Sequence, residues 1–272
     1  MSARPIKIGI HMPPQYGDLK KMREMWMKAE ELGVDRIYVA DHFHAQILTK
    51  DVVKEAAASP TSFGINFEAT TVQAAMAATT TRVEIGCLVH ANSYRNPNLM
   101  ADIARTIDHI SGGRYILGMG AGYLKPDYDE YGYPFGTPKS RMEDFVRDIP
   151  IIKARLGKLN PPPLRKMPLL IAAMGEGMGL PLAAEHADIW HVYGELDKVQ
   201  HKLEVFRKLC RDFRRDPADV ELQVSYFPGL AENGDPDAFY KLGFDEIIVT
   251  TFGPEWDLGG LREILAWRKA LG

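Results

Sequence analysis

The sequence predicts an eight-stranded parallel β/α barrel, the (β/α)8 or TIM-barrel class. A length of 272 residues is suited to one barrel of this kind. Eight short runs are apolar on both faces and rich in β-branched residues, as parallel strands covered by helices are. Longer segments with helical patterning separate these runs, which indicates parallel β/α units. Because no change of composition divides the chain, we expect a single domain over residues 1–272.

The eight strands are predicted from the apolar runs in chain order. They cover residues 6–12, 36–41, 83–89, 115–120, 168–173, 188–192, 220–226 and 246–251. The first helix is predicted over residues 18–32, where Asp18 is suited to cap its start and Gly33 to end it. Eight units favour closure into a barrel over an open sheet.

Composition narrows the class of function. The formal net charge of -3 gives no sign of a nucleic-acid partner, which usually requires a basic face. Two cysteines far apart in sequence do not suggest a disulfide framework. No apolar run approaches the roughly 20 residues that a membrane helix needs. We therefore expect a cytoplasmic protein that does not bind membranes.

Two connections are unusually long and follow strands, on the side where barrel enzymes build their active sites. They cover residues 44–66 and 123–139. The second contains five aromatic residues, Tyr123, Tyr128, Tyr131, Tyr133 and Phe135. Packing of this loop against the barrel and contact with a substrate explain these rings equally well.

Four histidines fall at or just past the carboxyl ends of predicted strands: His11, His42, His90 and His191. In a closed barrel they converge on one end, which we call the mouth. Histidine is the side chain most easily poised for proton transfer near neutral pH, so this convergence favours an acid/base function. Hydrogen-bonded strand ends and a zinc site are the alternatives, although no His-Glu-x-x-His or paired Cys-x-x-Cys spacing is present.

Glycines are concentrated in two places after strands. The residues of interest are Gly120, Ala121 and Gly122 after the fourth strand, and Met174, Gly175, Glu176, Gly177 and Met178 after the fifth. Glycine permits a flat ring or a phosphate to approach the backbone, and it also permits tight turns. Both interpretations remain open at this point.

Five short motifs, taken in order, resemble the luciferase-like superfamily. They are Asp41-His42-Phe43, Tyr94-Arg95-Asn96-Pro97, Ser111-Gly112-Gly113-Arg114, Gly120-Ala121-Gly122-Tyr123 and Ala187-Asp188-Ile189-Trp190. Within the superfamily the chain is most similar to enzymes that use the deazaflavin coenzyme F420. The resemblance implies a homodimer with the cofactor ring in the barrel mouth and its phosphate-bearing tail near the loop after the fifth strand.

The resemblance also implies roles for individual residues. His42 would be the catalytic acid/base and Asp41 a cofactor contact. A non-prolyl cis peptide behind the ring would join Cys87 to Leu88, and His90 stands where relatives often have a cofactor-contacting threonine. Tyr123 replaces a glutamate acid/base of the sugar-phosphate dehydrogenases, which argues against that substrate.

The loop after the fifth strand, where the resemblance places the cofactor phosphate, departs from the sequence of many relatives. The fifth-strand loop has Gly177 and Met178 where many relatives carry lysine and threonine. Backbone amides of Gly175, Gly177 and Met178 would then hold a phosphate with less charge assistance.

The expected function is hydride transfer between F420 and a small organic substrate. Candidate substrate-side residues are His11, Phe43, His44, Tyr123 and His191. One alternative is a monooxygenase that uses reduced FMN from a separate flavin reductase. A second alternative is a non-catalytic flavin-binding protein, suggested by the altered fifth-strand loop.

Overall fold

The computed structural model describes residues 4–45, 64–227 and 235–272. Within these ranges all strands are parallel and belong to one closed sheet. The strands are β1 Lys7–His11, β2 Arg36–Val39, β3 Glu84–Cys87, β4 His90–Ala91, β5 Tyr115–Gly120, β6 Leu169–Ala172, β7 Ile189–Val192, β8 Glu221–Tyr226 and β9 Glu246–Thr250. Each predicted strand is present, with ends that agree within two residues.

Closure comes from β1, which pairs with β2 on one side and with β9 on the other. The two-residue strand β4 pairs with the mouth end of β5, and β3 pairs with its opposite end. Strands β3 and β4 thus share one position, which leaves eight positions round the barrel. The predicted (β/α)8 class is confirmed.

Helices connect successive strands over the outside of the barrel. They are α1 Leu19–Leu32, α2 Ala69–Thr79, α3 Pro97–Ser111, α4 Lys125–Tyr131, α5 Pro138–Leu156, α6 Gly179–His186, α7 Leu196–Asp212, α8 Pro236–Leu242 and α9 Gly259–Ala270. No helix within the described residues is both long enough and apolar enough to cross a bilayer.

The helix ends follow from local sequence. The Asp18 carboxylate accepts the backbone amide of Lys21 at 2.9 Å at the start of α1, as predicted. Gly33 ends that helix at a φ of 96°, a left-handed conformation that glycine adopts without steric cost.

Side chains alternate between the barrel interior and the layer under the helices. The interior holds a small apolar cluster, whereas most of the core lies between strands and helices. The fully buried interior residues of the cluster are Tyr38, Ile116, Leu170, Ile189 and Ile248. Arg36 closes the end opposite the mouth, where its guanidinium bonds Glu84 at 2.8 Å, Glu246 at 2.6 Å, and Glu221.

The alternation of side chains between the barrel interior and the helix layer is shifted by one residue after β3. Leu88 and Val89 both pack against the interior cluster, and the non-prolyl cis peptide joins these two residues. The predicted position between Cys87 and Leu88 is therefore wrong by one residue. The reason is that regular pairing with β2 continues past Cys87, since the amide of Leu88 still donates to the carbonyl of Val39 at 2.8 Å.

The structure tests only one of the two predicted long loops in full. Residues 46–63 of the predicted loop 44–66 lie outside the described residues. The predicted loop 123–139 contains helix α4, which was not expected. Helix α4 places residues of this connection over the mouth, next to the segment that follows β2.

Candidate active site

Three of the four predicted histidines meet at the mouth. Burial, together with the nearby His191 and His42, lowers the pKa of His11 to about 3. These three side chains are thus near enough to interact electrostatically, at the carboxyl ends of β1, β2 and β7. The prediction that they converge is confirmed for His11, His42 and His191.

One side of the mouth is built around a buried aspartate, Asp127. His42 Nδ1 lies 2.8 Å from Asp127 Oδ2, and His44 Nδ1 lies 2.8 Å from Oδ1. Tyr94 donates its hydroxyl to Oδ2 at 2.7 Å. The backbone amides of Phe43 and His44 donate to Oδ1 at 3.1 and 2.9 Å. We call His42, His44, Tyr94 and Asp127 the carboxylate wall.

Asp127 is ionised in this environment. Burial by itself raises the pKa of this carboxyl, but hydrogen bonds from His42, Tyr94 and His44 outweigh burial and lower it. Asp127 was not predicted as a site residue, because residues 123–139 have the aromatic-rich pattern of a long loop. The available signal was Pro126 followed by an acidic residue, a pattern typical of a first helical turn.

The opposite side of the mouth is neutral. His191 Nδ1 lies 2.8 Å from Gln223 Oε1, and Ser225 Oγ lies 3.3 Å from His191 Nε2. Gln223 Nε2 donates to Tyr38 and to Glu246, each at 2.7 Å, which fixes the orientation of the amide. The amide oxygen therefore accepts a hydrogen bond from the protonated Nδ1 of His191, and Nε2 is left as an acceptor.

Burial keeps this side uncharged. It lowers the pKa of His191 to about 4, and the hydrogen bond that His191 donates to Gln223 opposes it. His11 Nε2 is buried and has no hydrogen-bond partner among the described residues. We call His11, His191, Gln223 and Ser225 the neutral wall. An unpartnered buried ring nitrogen is costly, so the neutral wall is suited to bonding a ligand.

His90 does not join the other histidines, and this prediction is wrong. The slip at Leu88 and Val89 reverses the side that the next residue faces. His90 is fully buried against Asp41, at 3.3 Å, and the hydroxyl of Tyr115, at 3.0 Å. Its expected contact with a cofactor has no support from this position.

Asp41 also faces away from the mouth. Both carboxylate oxygens are bonded by Arg95, at 2.5 and 2.9 Å, and Arg95 also bonds Glu68 at 2.6 Å. Burial raises the pKa of Asp41, but the hydrogen bonds from His90 and Arg95 reverse the effect and hold it far below its usual range. Its contact with a cofactor stays a prediction, while its contacts with Arg95 anchor the segment that carries His42.

The aromatic residues of the predicted loop mostly pack on each other. The ring of Phe43 stacks on Tyr131 with centroids 4.0 Å apart and contacts Tyr94 at 4.7 Å. Tyr123 differs, because it is 60% exposed and meets the edge of the His42 ring at 5.4 Å. The packing interpretation is thus confirmed for most of these rings, and Tyr123 remains the candidate for substrate contact.

The glycines after β5 have a packing explanation. A Cβ on Gly118 would lie 1.9 Å from the carbonyl oxygen of Cys87, and one on Gly120 would lie 2.5 Å from Val89. Gly122 has a φ of 77° and lies under the hydroxyl of Tyr128. Close approach of β3, of Val89 and of Tyr128 on α4 thus explains the glycines at positions 118, 120 and 122. A cofactor contact by Gly120, Ala121 or Gly122 stays a prediction.

The glycines of the loop after β6, in contrast, have open space around them. A Cβ on Gly175 or Gly177 would meet no heavy atom of the described residues within 4 Å. The nearby Glu176 bonds His201 at 2.9 Å and also bonds Lys202, both on α7. A cavity of about 450 Å³ lies beside this loop, lined by Met174, Tyr193, Asp197, Lys198, His201 and Lys202.

These features fit a flat cofactor with an anionic tail. At the mouth end of the interior, Leu88, Val89 and Ala172 are partly exposed and offer an apolar surface for a ring. The unpartnered His11 Nε2 lies at the same end. The lysines of α7 supply positive charge that Gly177 and Met178 lack.

No three His, Cys, Asp or Glu side chains in the described ranges are arranged to hold a metal ion.

Comparison with known proteins adds the family. The family model for luciferase-like monooxygenases matches residues 5–235. The pyrimidine monooxygenase RutA of Enterobacter sp. (strain 638) is 26% identical over 211 residues, which cover 70% of this chain and 58% of that protein. The chain thus spans less than two thirds of the length of this curated relative.

Solved structures show the same fold. An F420-dependent secondary alcohol dehydrogenase in complex with an F420-acetone adduct superposes with a TM-score of 0.78 over 98% of both chains, at 15% identity. The coenzyme F420-dependent tetrahydromethanopterin reductase of Methanopyrus kandleri gives a TM-score of 0.69 over 96% of both chains, also at 15% identity.

Proposed function

This chain belongs to the luciferase-like monooxygenase family and is an enzyme of that type, and from this premise we propose that it transfers hydride between F420 and a small alcohol or carbonyl substrate. The observation that carries the proposal is the contact between His42 and Asp127 at the barrel mouth, 2.8 Å long. Oxidation of an alcohol removes a hydride from carbon and a proton from oxygen. The second step requires a base, and His42 is placed to be that base.

In this proposal, different residues orient the substrate and transfer its proton. The neutral wall orients the substrate, because the buried rings of His11 and His191 can hydrogen-bond it without adding charge; His11 Nε2 has no partner among the described residues. His42 takes the hydroxyl proton of the alcohol as the carbon–hydrogen bond breaks, and it returns a proton in the reverse direction. The ring of Tyr123 meets the edge of the His42 ring at 5.4 Å, and we propose that it shields His42 from water.

The cofactor supplies the two-electron chemistry, as a hydride acceptor or donor. The partly exposed Leu88, Val89 and Ala172 are the proposed support for its ring. Its anionic tail would follow the loop from Met174 to Met178 toward Lys202 and His201. The full-length match with an F420-dependent alcohol dehydrogenase supports this choice of cofactor.

A parallel titration tests the cofactor assignment. Purified protein is titrated with F420 and with FMN while tryptophan fluorescence is followed, and absorbance of F420 is then recorded with isopropanol or acetone present. We expect tighter binding of F420 and a substrate-dependent change of its absorbance. Stronger binding of FMN would overturn the assignment, and binding of neither would remove the proposed function.

A second candidate is an FMN-dependent monooxygenase acting on a pyrimidine. The observation that favours it is the sequence similarity to pyrimidine monooxygenase RutA. A separate flavin reductase would then supply reduced FMN. Oxygen consumption with reduced FMN and uracil distinguishes the two candidates, because only the monooxygenase consumes oxygen in step with the pyrimidine.

A further inference from the structure

We infer that Asp127 is a positioning residue that fixes the proton of His42 on Nδ1 and so makes Nε2 the atom that exchanges a proton with the substrate. This inference rests on the proposed function for its catalytic meaning, although the tautomer itself can be measured without any substrate. Asp127 lies on α4, 85 residues from His42 in sequence, outside the five family-like motifs.

The number of donors determines the tautomer. Asp127 is fully buried and accepts five hydrogen bonds from the described residues, three on Oδ1 and two on Oδ2. An ionised carboxylate only accepts, so each partner atom must carry a proton. His42 is therefore protonated on Nδ1. When the ring takes a second proton on Nε2, the carboxylate stabilises the resulting positive charge.

The two oxygens of Asp127 are not equivalent. Oδ1 is bonded by the backbone amides of Phe43 and His44 and by His44 Nδ1, whereas Oδ2 is bonded by His42 Nδ1 and Tyr94. Backbone amides can only donate. The imidazole of His42 and the hydroxyl of Tyr94 can both change from donor to acceptor.

This asymmetry predicts a specific effect of the substitution Asp127→Asn. The asparagine oxygen must remain on the Oδ1 side, because the two backbone amides there need an acceptor. The amide nitrogen then faces His42 Nδ1 and donates to it. His42 changes to the tautomer protonated on Nε2, while His44 keeps its proton on Nδ1.

The experiment combines NMR with kinetics on the full chain. Histidine-selective ¹⁵N labelling with long-range ¹H–¹⁵N correlation assigns the tautomer of each ring, and His42→Gln and His44→Gln variants identify the signals. We expect Asp127→Asn to invert the His42 pattern and leave the His44 pattern unchanged. Turnover of isopropanol with F420 should fall by about 10²–10⁴-fold, the usual contribution of general acid–base catalysis, with F420 affinity within about threefold.

Asp129→Asn is the matched control, because Asp129 lies on the same helix, is mostly exposed and pairs with Lys125. It should change neither the tautomer nor turnover. An unchanged His42 tautomer in Asp127→Asn overturns the inference. An inverted tautomer without any redox activity in the wild-type protein instead sustains the inference and removes the proposed function.

Discussion

The carboxylate wall and the neutral wall use the same residue type in opposite electrostatic settings. His42 and His44 on the carboxylate wall each contact the ionised Asp127 at 2.8 Å. His11 and His191 on the neutral wall are buried, contact no carboxylate among the described residues, and have their pKa lowered to about 3 and about 4.

This difference separates proton transfer from substrate orientation. A histidine that is to accept a proton needs a compensating charge, because burial disfavours the cation. Asp127 supplies that charge on one wall only. The histidines of the neutral wall stay neutral over the physiological range and are suited to hydrogen bonding. Proximity to the mouth alone thus does not make a histidine a catalytic base.

Exchanging the two kinds of histidine for glutamine tests this separation most strongly. His42→Gln should lower kcat by about 10²–10⁴-fold with F420 affinity nearly unchanged, because glutamine cannot take the proton. His191→Gln should raise KM for isopropanol and lower kcat by less than about tenfold, since glutamine keeps a hydrogen-bonding group at that position.

Steady-state kinetics of both variants with F420 provides the measurement. The comparison between the walls would fail if His191→Gln lost as much kcat as His42→Gln. It would also fail if His42→Gln changed KM alone, because this would place His42 among the binding residues.

The dependence of stability on pH provides a second test. The unfolded chain binds a proton at His11 and His191 near pH 6.5, whereas the folded chain binds them only near pH 3 and pH 4. Their contribution to stability is complete above about pH 6.5 and is lost as pH falls through the interval below it. The free energy of unfolding, measured with urea, should therefore decrease from pH 7 to pH 4.

A His191→Gln variant should show a shallower decrease over this interval, because one of the two groups no longer titrates. His201→Gln is the control, since that side chain is 59% exposed on α7. Equal slopes for wild type and His191→Gln would mean that the neutral wall is not held neutral by burial.

Sequence alone predicted the parts of the molecule that depend on local pattern. The eight strands follow from short apolar runs, and the ends of α1 follow from Asp18 and Gly33. Each of these features is decided by residues a few positions apart, where periodicity and capping chemistry are specific. The motif order also indicated the family.

The remaining site depends on contacts that no local pattern encodes. Asp127 acts through a contact across 85 residues of sequence, and the orientation of His191 depends on Gln223. The side that His90 faces depends on a one-residue slip at Leu88 and Val89. A slip of one position reverses the facing of every later residue in a strand, so regular alternation placed His90 at the mouth incorrectly.

The smallest expected effect comes from Tyr94, the hydroxyl donor of the carboxylate wall. Tyr94→Phe removes one of two hydrogen bonds on Asp127 Oδ2 and leaves the ring in place against Phe43. A hydrogen bond to a charged group contributes about 1.5–3 kcal/mol, so the free energy of unfolding should fall by about that amount. His42 keeps its bond to Oδ2, and turnover should therefore fall by less than about tenfold. Urea denaturation measures the free energy of unfolding, and kinetics with F420 and isopropanol measures turnover. A loss of turnover equal to that of Asp127→Asn would show that Tyr94, and not the carboxylate alone, orients His42.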